Sequence, residues 1–421
     1  MEKLASDLKP DEALTSNHAR LVGWSIVAYG FIAVALSATA RAFLSLAMPI
    51  WEGEQGWSRS LVSSAGALAL LVMALTAPIA GNFIDRFGPQ KLLTAGFLTL
   101  SLGLALTTIS VTPIHLLLSF GLVSGVGFGV VAVSAFFASI APYFVTQRGF
   151  AMAVVDSRST VGPLILVPIA AWLLNGYGWR SEFLIMPAMC LVMAPLAWKL
   201  LPTTSGKDLH HEEEKRESMG TRLLELARNP AFNLLFWGFL LCGFTSSGVI
   251  ETHFLPYAAV CGFNGLTAAG AYGFLSGINL LGILAAGWLA DRINRPLLLA
   301  GIYAARSLSF ILLMQIGNDL TLLYLFSAIF GLFDYATAPV VASLVASHLG
   351  IRVMGLSMGL LSAGHALGAA LGALAGGLAF DTFGSYRILW MMSIAMAVLA
   401  GLISVFIAKS SDSERLVSVS T

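Results

Sequence analysis

The chain has 421 residues, of which 57% are hydrophobic and only 11% are charged, and its formal net charge is +1. Because soluble proteins carry about 25% charged residues, most of this surface faces lipid rather than water. The balanced charge excludes the basic surface that binds nucleic acid. The three cysteines show no metal-ligand or disulfide spacing, so we expect packing roles for them and neither a metal nor a cofactor.

Apolar stretches of about 20 residues, long enough for a helix to cross a hydrocarbon core of about 30 Å, recur along the chain. The expected spans are 21–50, 60–80, 92–111, 115–140, 149–174, 182–201, 231–258, 266–288, 297–316, 321–345, 353–379 and 387–408. The sequence therefore predicts an all-α membrane protein with twelve transmembrane helices.

The distribution of positive charge predicts the orientation in the membrane. The segment before Leu21 lacks the pattern of a secretory signal, so the N-terminus is expected to be retained. Of the 23 Lys and Arg residues, three lie inside spans and three, Arg59, Arg180 and Arg387, lie in loops that follow odd-numbered spans. All the others lie on the opposite side. The positive-inside rule therefore places both termini in the cytoplasm.

One long hydrophilic segment, residues 202–222, divides the spans into two sets of six. Adjacent His and Glu residues within it do not converge on one ion, so we interpret it as a solvated linker. The expected organisation is an N-terminal tail 1–20, a first six-helix bundle 21–201, a cytoplasmic linker 202–230, a second bundle 231–408 and a cytoplasmic C-terminal tail 409–421.

The two halves repeat at a constant offset of 206 residues. The pairs at this offset are Gly56 and Gly262, Gly81 and Gly287, Asp85 and Asp291, Arg86 and Arg292, Gly125 and Gly331, Gly162 and Gly368, and Gly178 and Gly384. One offset maintained across six spans indicates a duplicated, pseudo-symmetric bundle.

The stretch "GNFIDRFGPQK" carries Gly81, Asp85, Arg86, Gly88 and Lys91, and a weaker copy follows at 287–295. With this signature in the loop after span 2, the chain resembles the major facilitator superfamily over essentially its whole length. The resemblance implies a gate at the cytoplasmic side, where acidic residues pair with loop arginines and a helix terminus. Its residues would be Asp85, Arg86, Arg148, Asp291, Arg292 and Arg352. Alternatively, these charges only mark loop ends under the positive-inside rule.

Ionisable residues inside the spans are candidates for function, because lipid makes them costly. They are Arg41, Asp156, Arg158, Glu251, His253, Arg306, Asp334 and His365. Helical spacing places Arg41 on one face with Ser37 and Ser45, and it aligns Tyr272, Ser276 and Asn279 on span 8. The resemblance implies that spans 1, 4, 5, 7, 8, 10 and 11 line a central cavity. Arg306 lies on a peripheral span, so we expect it to form a structural ion pair with Asp334.

The stretches "GWSRS", "THFLPYA" and "YAARS" resemble the bacterial branch that contains oxalate/formate antiporters and monocarboxylate transporters, which implies a bacterial inner membrane. The chain departs from that branch because span 8 has Asn279 where an Arg is usual, whereas span 5 gains Arg158. Arg binds carboxylates bidentately and the acidic groups can change charge, so we predict a proton-coupled transporter of a small organic anion.

The residues expected to bind the anion are Arg41, Arg158, Tyr272, Ser276, Asn279 and His365, and those expected to carry protons are Glu251 and Asp334. A monomer is expected. The competing interpretation of the arginines is structural pairing, of Arg41 with Glu251 and of Arg158 with Asp156 or another carboxylate. Two further functional classes stay open. One is a proton-driven exporter of drugs or metabolites, favoured by Gly162–Pro163 on span 5. The other is a membrane enzyme or sensor, for which no catalytic constellation is found.

Overall fold

The computed structural model describes residues 17–132, 136, 139, 154, 155, 158–201, 219–349 and 353–419, and their regular structure is entirely helical. Within these residues ten helices are long and apolar enough to cross a membrane. Two shorter apolar helices, Thr160–Leu174 and Leu184–Leu200, lie at spans 5 and 6. The prediction of an all-α protein with twelve transmembrane helices is confirmed.

The helices of the first half are Asn17–Gln55, Arg59–Phe87, Pro89–Thr108, Pro113–Val130, Arg158–Tyr177 and Trp179–Leu200, which are spans 1 to 6. Those of the second half are Pro230–Val260, Gly265–Ala290, Arg295–Leu313, Leu320–His348, Met354–Phe383 and Arg387–Val419, which are spans 7 to 12. A short amphipathic helix, Met219–Arg228, precedes span 7 within the stretch that we had predicted as linker.

Polar N-cap residues define where many spans begin. Each accepts a hydrogen bond from a backbone N–H two or three residues later, which satisfies a group that the helix leaves unpaired. These residues are Ser58, Thr112, Asn229, Asn264, Asn294 and Asp319. The spans are therefore set by capping chemistry as well as by hydrophobicity.

Span 2 ends later than predicted. Its helix continues to Phe87 and stops at Gly88, whose φ of 79° favours glycine. Asp85 and Arg86 therefore belong to the last helical turn, and our placement of them in the following loop was wrong. The helix of span 12 likewise continues past residue 408 to Val419.

Glycines related by the 206-residue offset share backbone conformation or packing contacts in the two halves, which supports the duplication. Gly56 and Gly262 both have positive φ, 66° and 89°, immediately after spans 1 and 7. Gly125 packs against the backbone of Ala69 on span 2, and Gly331 packs against the backbone of Leu275 on span 8. Since 69 and 275 also differ by 206, the offset relates contacts between helices and not only residue types.

The two halves meet through small residues on spans 2 and 11. Ala67 and Leu70 of span 2 form one buried cluster with Ala369, Ala370 and Ala373 of span 11. Spans 5 and 8 make the corresponding contact, where Gly273 lies against the backbone carbonyl of Leu164. Small side chains let helix backbones approach closely in the absence of water.

Span 10 is interrupted at residues 334–336, between the helices Leu320–Phe333 and Thr337–His348. Pro339 has no N–H, so it cannot donate to the carbonyl of Tyr335 four residues earlier, and helices break at such positions. Our prediction of one uninterrupted helix over 321–345 was wrong for this reason. Spans 4 and 7 contain π-helical turns, Leu117–Ser124 and Phe244–Ile250.

A glycine substitution tests the close packing of the repeated contact. A methyl group at Gly331 would meet the carbonyl oxygen of Leu275, whereas one at Gly301 meets no atom within 4 Å. We expect Gly331→Ala to destabilise the protein by about 1–3 kcal/mol through overpacking, and Gly301→Ala to be neutral or mildly stabilising. Melting temperatures in detergent measure both, and equal values would contradict the assignment.

Candidate functional site

Two adjoining cavities of about 40 Å³ and about 20 Å³ lie between the halves in the middle of the protein. Ala38, Arg41, Glu251 and Tyr272 line both, so we treat them as one central cavity with two ends. The first end is completed mostly by apolar residues of spans 1, 2 and 4, and the second mostly by polar residues of spans 8 and 10. The further lining residues of the second end are Pro163, Ile250, Leu275, Ser276, Asn279, Asp334 and Tyr335.

Arg41 brings a positive charge into this cavity from span 1. Its Nε is buried and has no hydrogen-bond partner among the described residues. Its other contacts are weak: Nη1 lies 3.9 Å from the sulfur of Met73, and the guanidinium carbon lies 5.9 Å from the ring centroid of Phe128. Among the described residues it has no ion pair. An Arg fork without a counter-charge is suited to a carboxylate ligand.

Glu251 presents the opposite charge from span 7. Its Oε1 accepts hydrogen bonds from the Tyr335 hydroxyl at 2.5 Å and from the Ser247 hydroxyl at 2.8 Å. Glu251 and Arg41 line the same cavity, yet among the described side chains they do not come within the 4.0 Å of an ion pair. The pairing that we had considered as a structural alternative is not formed in this conformation.

Neighbouring spans satisfy the backbone groups that the break in span 10 leaves unpaired. Arg306 of span 9 donates to the carbonyl oxygens of Phe333, at 3.1 Å, and of Asp334. Asn279 of span 8 accepts a hydrogen bond from the Tyr335 N–H at 3.0 Å. Interrupted membrane helices are tolerated where neighbours supply such partners. Asn279, which we predicted as a ligand of the anion, is therefore already engaged with the backbone.

Arg306 is completely buried, and its Nη2 lies 3.8 Å from a carboxylate oxygen of Asp334. The second terminal nitrogen, Nη1, donates to the sulfur of Cys242 at 3.2 Å and to the Thr245 hydroxyl at 3.3 Å. The predicted ion pair with Asp334 is confirmed. The arginine ties spans 7, 9 and 10 together inside the second half.

The remaining predicted ligands occupy different places. Tyr272 and Ser276 line the second end of the cavity, although the Ser276 hydroxyl donates to the Tyr272 carbonyl of its own helix at 3.0 Å. His365 lies outside both linings, with its ring centroid 4.8 Å from that of Phe239 and its Nε2 3.4 Å from the Ser246 hydroxyl. Of Arg158 only the helical backbone is described.

The structure describes the side chains of only two residues of the predicted cytoplasmic gate, Asp291 and Arg292. Arg148 and Arg352 lie outside the described residues, and of Asp85 and Arg86 only the backbone is described. Arg292, in the turn after span 8, stacks on Trp288 of that span, 4.0 Å from the ring centroid, and donates to the Trp288 carbonyl. The Asp291 side chain is exposed and has no partner among the described residues. The cytoplasmic gate therefore stays a prediction.

At the opposite end, which we call the odd-loop face because the loops after odd-numbered spans lie there, the halves are tied together. The two carboxylate oxygens of Asp381 on span 11 accept hydrogen bonds from the first backbone N–H groups of span 2, those of Arg59 at 3.1 Å and Ser60 at 2.9 Å. One half thus caps a helix of the other. A carboxylate at a helix N-terminus is favoured by both hydrogen bonding and the helix dipole.

The Arg59 side chain extends the same contact. It pairs with Glu52 at 2.8 Å, donates to the Tyr386 hydroxyl at 2.9 Å and lies 3.6 Å from the ring centroid of Phe380. Burial raises the pKa of Tyr386, so its hydroxyl stays protonated at neutral pH. His253, fully buried, contacts the same hydroxyl at 3.4 Å. The odd-loop face is closed by a charged network packed in aromatic rings.

Sequence reasoning missed this network and Tyr335. Arg59 was treated only as one of few positive charges on its side, although a cation at the start of a helix opposes the dipole and indicates a partner elsewhere. The Arg in "GWSRS", which is Arg59, is such a cation at the start of a helix. Tyr335 could be suspected only once Pro339 was recognised as the cause of a break.

The cap on span 2 can be tested by the variant Asp381→Asn, in a background where Ala38→Cys reports on the cavity and Cys261→Ser removes a half-exposed thiol. We expect labelling of the reporter by an impermeant maleimide from the odd-loop face to accelerate about tenfold, since a bond to a charged acceptor is worth about 1.5–3 kcal/mol. Asp319→Asn, which alters a cap within one half, is the control. Equal labelling of both variants would contradict a closing role.

Comparison with known proteins agrees with this architecture. The family model described as Major Facilitator Superfamily matches residues 30–350 and 278–420. An uncharacterized MFS-type transporter, YcxA of Bacillus subtilis (strain 168), is 25% identical over 90% of this chain and 94% of its own length. Human monocarboxylate transporter 11 is 27% identical over 81% of this chain and 74% of its own.

Among solved structures, a bacterial homologue of the human lysosomal transporter Spinster, in an inward-facing and occupied conformation, matches with a TM-score of 0.71. The match has 17% identity and covers 91% of this chain and 96% of the other, so it concerns the fold. With the family model, the relatives and the shared twelve-helix fold in agreement, the chain is a multi-pass membrane transporter, not an enzyme, and belongs to the major facilitator superfamily.

Proposed function

We propose that this transporter moves a small organic anion, a monocarboxylate or a dicarboxylate, across the membrane by alternating access coupled to protons. The observation that carries the proposal is Arg41, whose guanidinium lines the central cavity without an ion pair among the described residues. A bound carboxylate would supply both the missing charge and planar hydrogen-bond acceptors. Relatives named monocarboxylate transporters support the same substrate class.

The proposed binding site is asymmetric. Arg41 and Arg158 would contact the anion as access alternates, with Tyr272, Ser276 and Asn279 as polar neighbours, whereas His365 lies outside the cavity lining in this structure. The apolar end of the cavity, with Leu44, Leu70 and Phe120, suits a short hydrocarbon portion. The small cavity volume favours small substrates over the bulky compounds of a drug exporter, which is the alternative function.

Two carboxylates are candidates for the coupled proton. Glu251 lies on the cavity, and its hydrogen-bond partners among the described side chains are hydroxyl groups, whereas Asp334 is already paired with Arg306. Asp334 is buried and lines one end of the cavity, whereas Glu251 is less buried and lines both ends. We therefore favour Glu251 over Asp334 as the site of coupling.

We further propose that both termini are cytoplasmic, that the protein works as a monomer in a bacterial inner membrane, and that the structure is inward-facing. The network around Arg59 closes the odd-loop face, which the positive-inside rule places outside. The bacterial Spinster homologue of similar fold was crystallised in inward-facing conformations. The cytoplasmic gate, Asp85, Arg86, Arg148, Asp291, Arg292 and Arg352, would form when access reverses.

Transport by purified protein in liposomes tests the function. Labelled lactate, oxalate and formate are offered with and without a pH gradient, alongside efflux of an amphipathic dye. We expect one of the carboxylates to accumulate against its gradient only when the pH gradient is present. Dye efflux without carboxylate uptake would instead support the exporter.

Replacing Arg41 by Lys tests the assignment of the site. Lys keeps the charge but loses the planar fork, so we expect affinity for the transported anion to fall at least about tenfold, the equivalent of one charge-assisted hydrogen bond. Arg180→Lys, at an exposed arginine that stacks on Trp179, is the matched control. Binding by Arg41→Lys as tight as that of wild type would remove Arg41 from the site.

A further inference from the structure

The interruption of span 10 is held by one side chain from each of three neighbouring helices. Arg306 of span 9 binds the carbonyl groups that precede the break, and Asn279 of span 8 binds the Tyr335 N–H within it. Glu251 of span 7 binds the Tyr335 hydroxyl, at 2.5 Å. The break is therefore a junction of four helices beside the central cavity.

Only one of these three holding groups can change its charge. The guanidinium of Arg306 remains protonated, and the amide of Asn279 is neutral at every relevant pH. Glu251 accepts two hydroxyl hydrogen bonds on one oxygen while it is ionised. When protonated it becomes a neutral acceptor, and neutral hydrogen bonds are about half as strong as charge-assisted ones.

We propose that Tyr335 is a positioning residue for proton coupling, because its hydroxyl transmits the protonation state of Glu251 to the break in span 10. Protonation of Glu251 weakens its hydrogen bond to the Tyr335 hydroxyl. The two parts of span 10 are then free to change their relative angle. Arg306 and Asn279 continue to bind the backbone groups of the break during this change. This inference rests on the proposed proton-coupled function.

The charged and titratable surroundings of Glu251 link the switch to the anion. Arg41 faces it from span 1, Tyr272 from span 8, and Asp334 and Tyr335 from span 10. The described residues that spans 2 and 4 add to the cavity lining are apolar. An anion on Arg41 would cancel the one cation among these described groups and so favour protonation of Glu251.

The test is Tyr335→Phe, which removes the hydroxyl and keeps the ring. Counterflow exchange of the transported carboxylate is measured from pH 5 to 9 at equal pH on both sides, together with accumulation under a pH gradient. We expect exchange to persist, its pH midpoint to move up by about one unit because the ionised carboxylate has lost a donor, and accumulation to fall at least about fivefold. Tyr29→Phe, which removes a hydroxyl that donates to the Met193 carbonyl within the first half, should match wild type.

A second variant keeps the inference testable if Tyr335→Phe is unstable. Glu251→Gln should exchange at a rate independent of pH, and Tyr335→Phe added to it should change nothing further. A normal pH profile in Tyr335→Phe or in Glu251→Gln, or additive effects in the double variant, would overturn the inference while leaving carboxylate transport intact. Failure of wild type to exchange any carboxylate would overturn the proposed function and this inference together.

Discussion

A peptide group inside hydrocarbon has no water to bind, so every interruption of a membrane helix must find its partners in neighbouring helices. Span 10 is interrupted close to Pro339, which cannot donate a hydrogen bond, and two polar side chains of neighbouring spans bind the backbone at the break. Asn279 and Arg306 are engaged with the freed backbone. What remains for chemistry is the smaller set that is not bound to the backbone at the break, chiefly Arg41 and Glu251.

The two halves are held together by different kinds of contact at the odd-loop face and deeper in the protein. At the odd-loop face a carboxylate of one half caps a helix of the other, and Arg59 is packed in aromatic rings. Deeper between the halves, the alanines of spans 2 and 11 provide a surface without strong directional bonds. Packing of small residues permits helices to slide or rotate, whereas directional bonds define one closed arrangement.

The fold could be predicted because hydrophobic length and a repeat at one offset are properties of the sequence alone. Twelve spans and the duplication follow in this way. The pairing of Arg306 with Asp334 follows instead from the similar depth of two charges inside spans 9 and 10. The break in span 10 and the Tyr335 contact were not predicted, because a proline in a membrane helix does not determine which neighbours bind the freed groups. The cross-half cap by Asp381 joins residues 322 and 321 positions apart, a separation that no local pattern encodes.

The shared cap on span 2 has a consequence for how water enters the protein. When the halves part at the odd-loop face, the first N–H groups of span 2 lose the Asp381 carboxylate and turn to solvent for partners. Opening is therefore a hydration step at a helix terminus, and it takes place before any solute can pass Arg59. Excluded osmolytes disfavour newly exposed surface, so their presence on the odd-loop side opposes this opening.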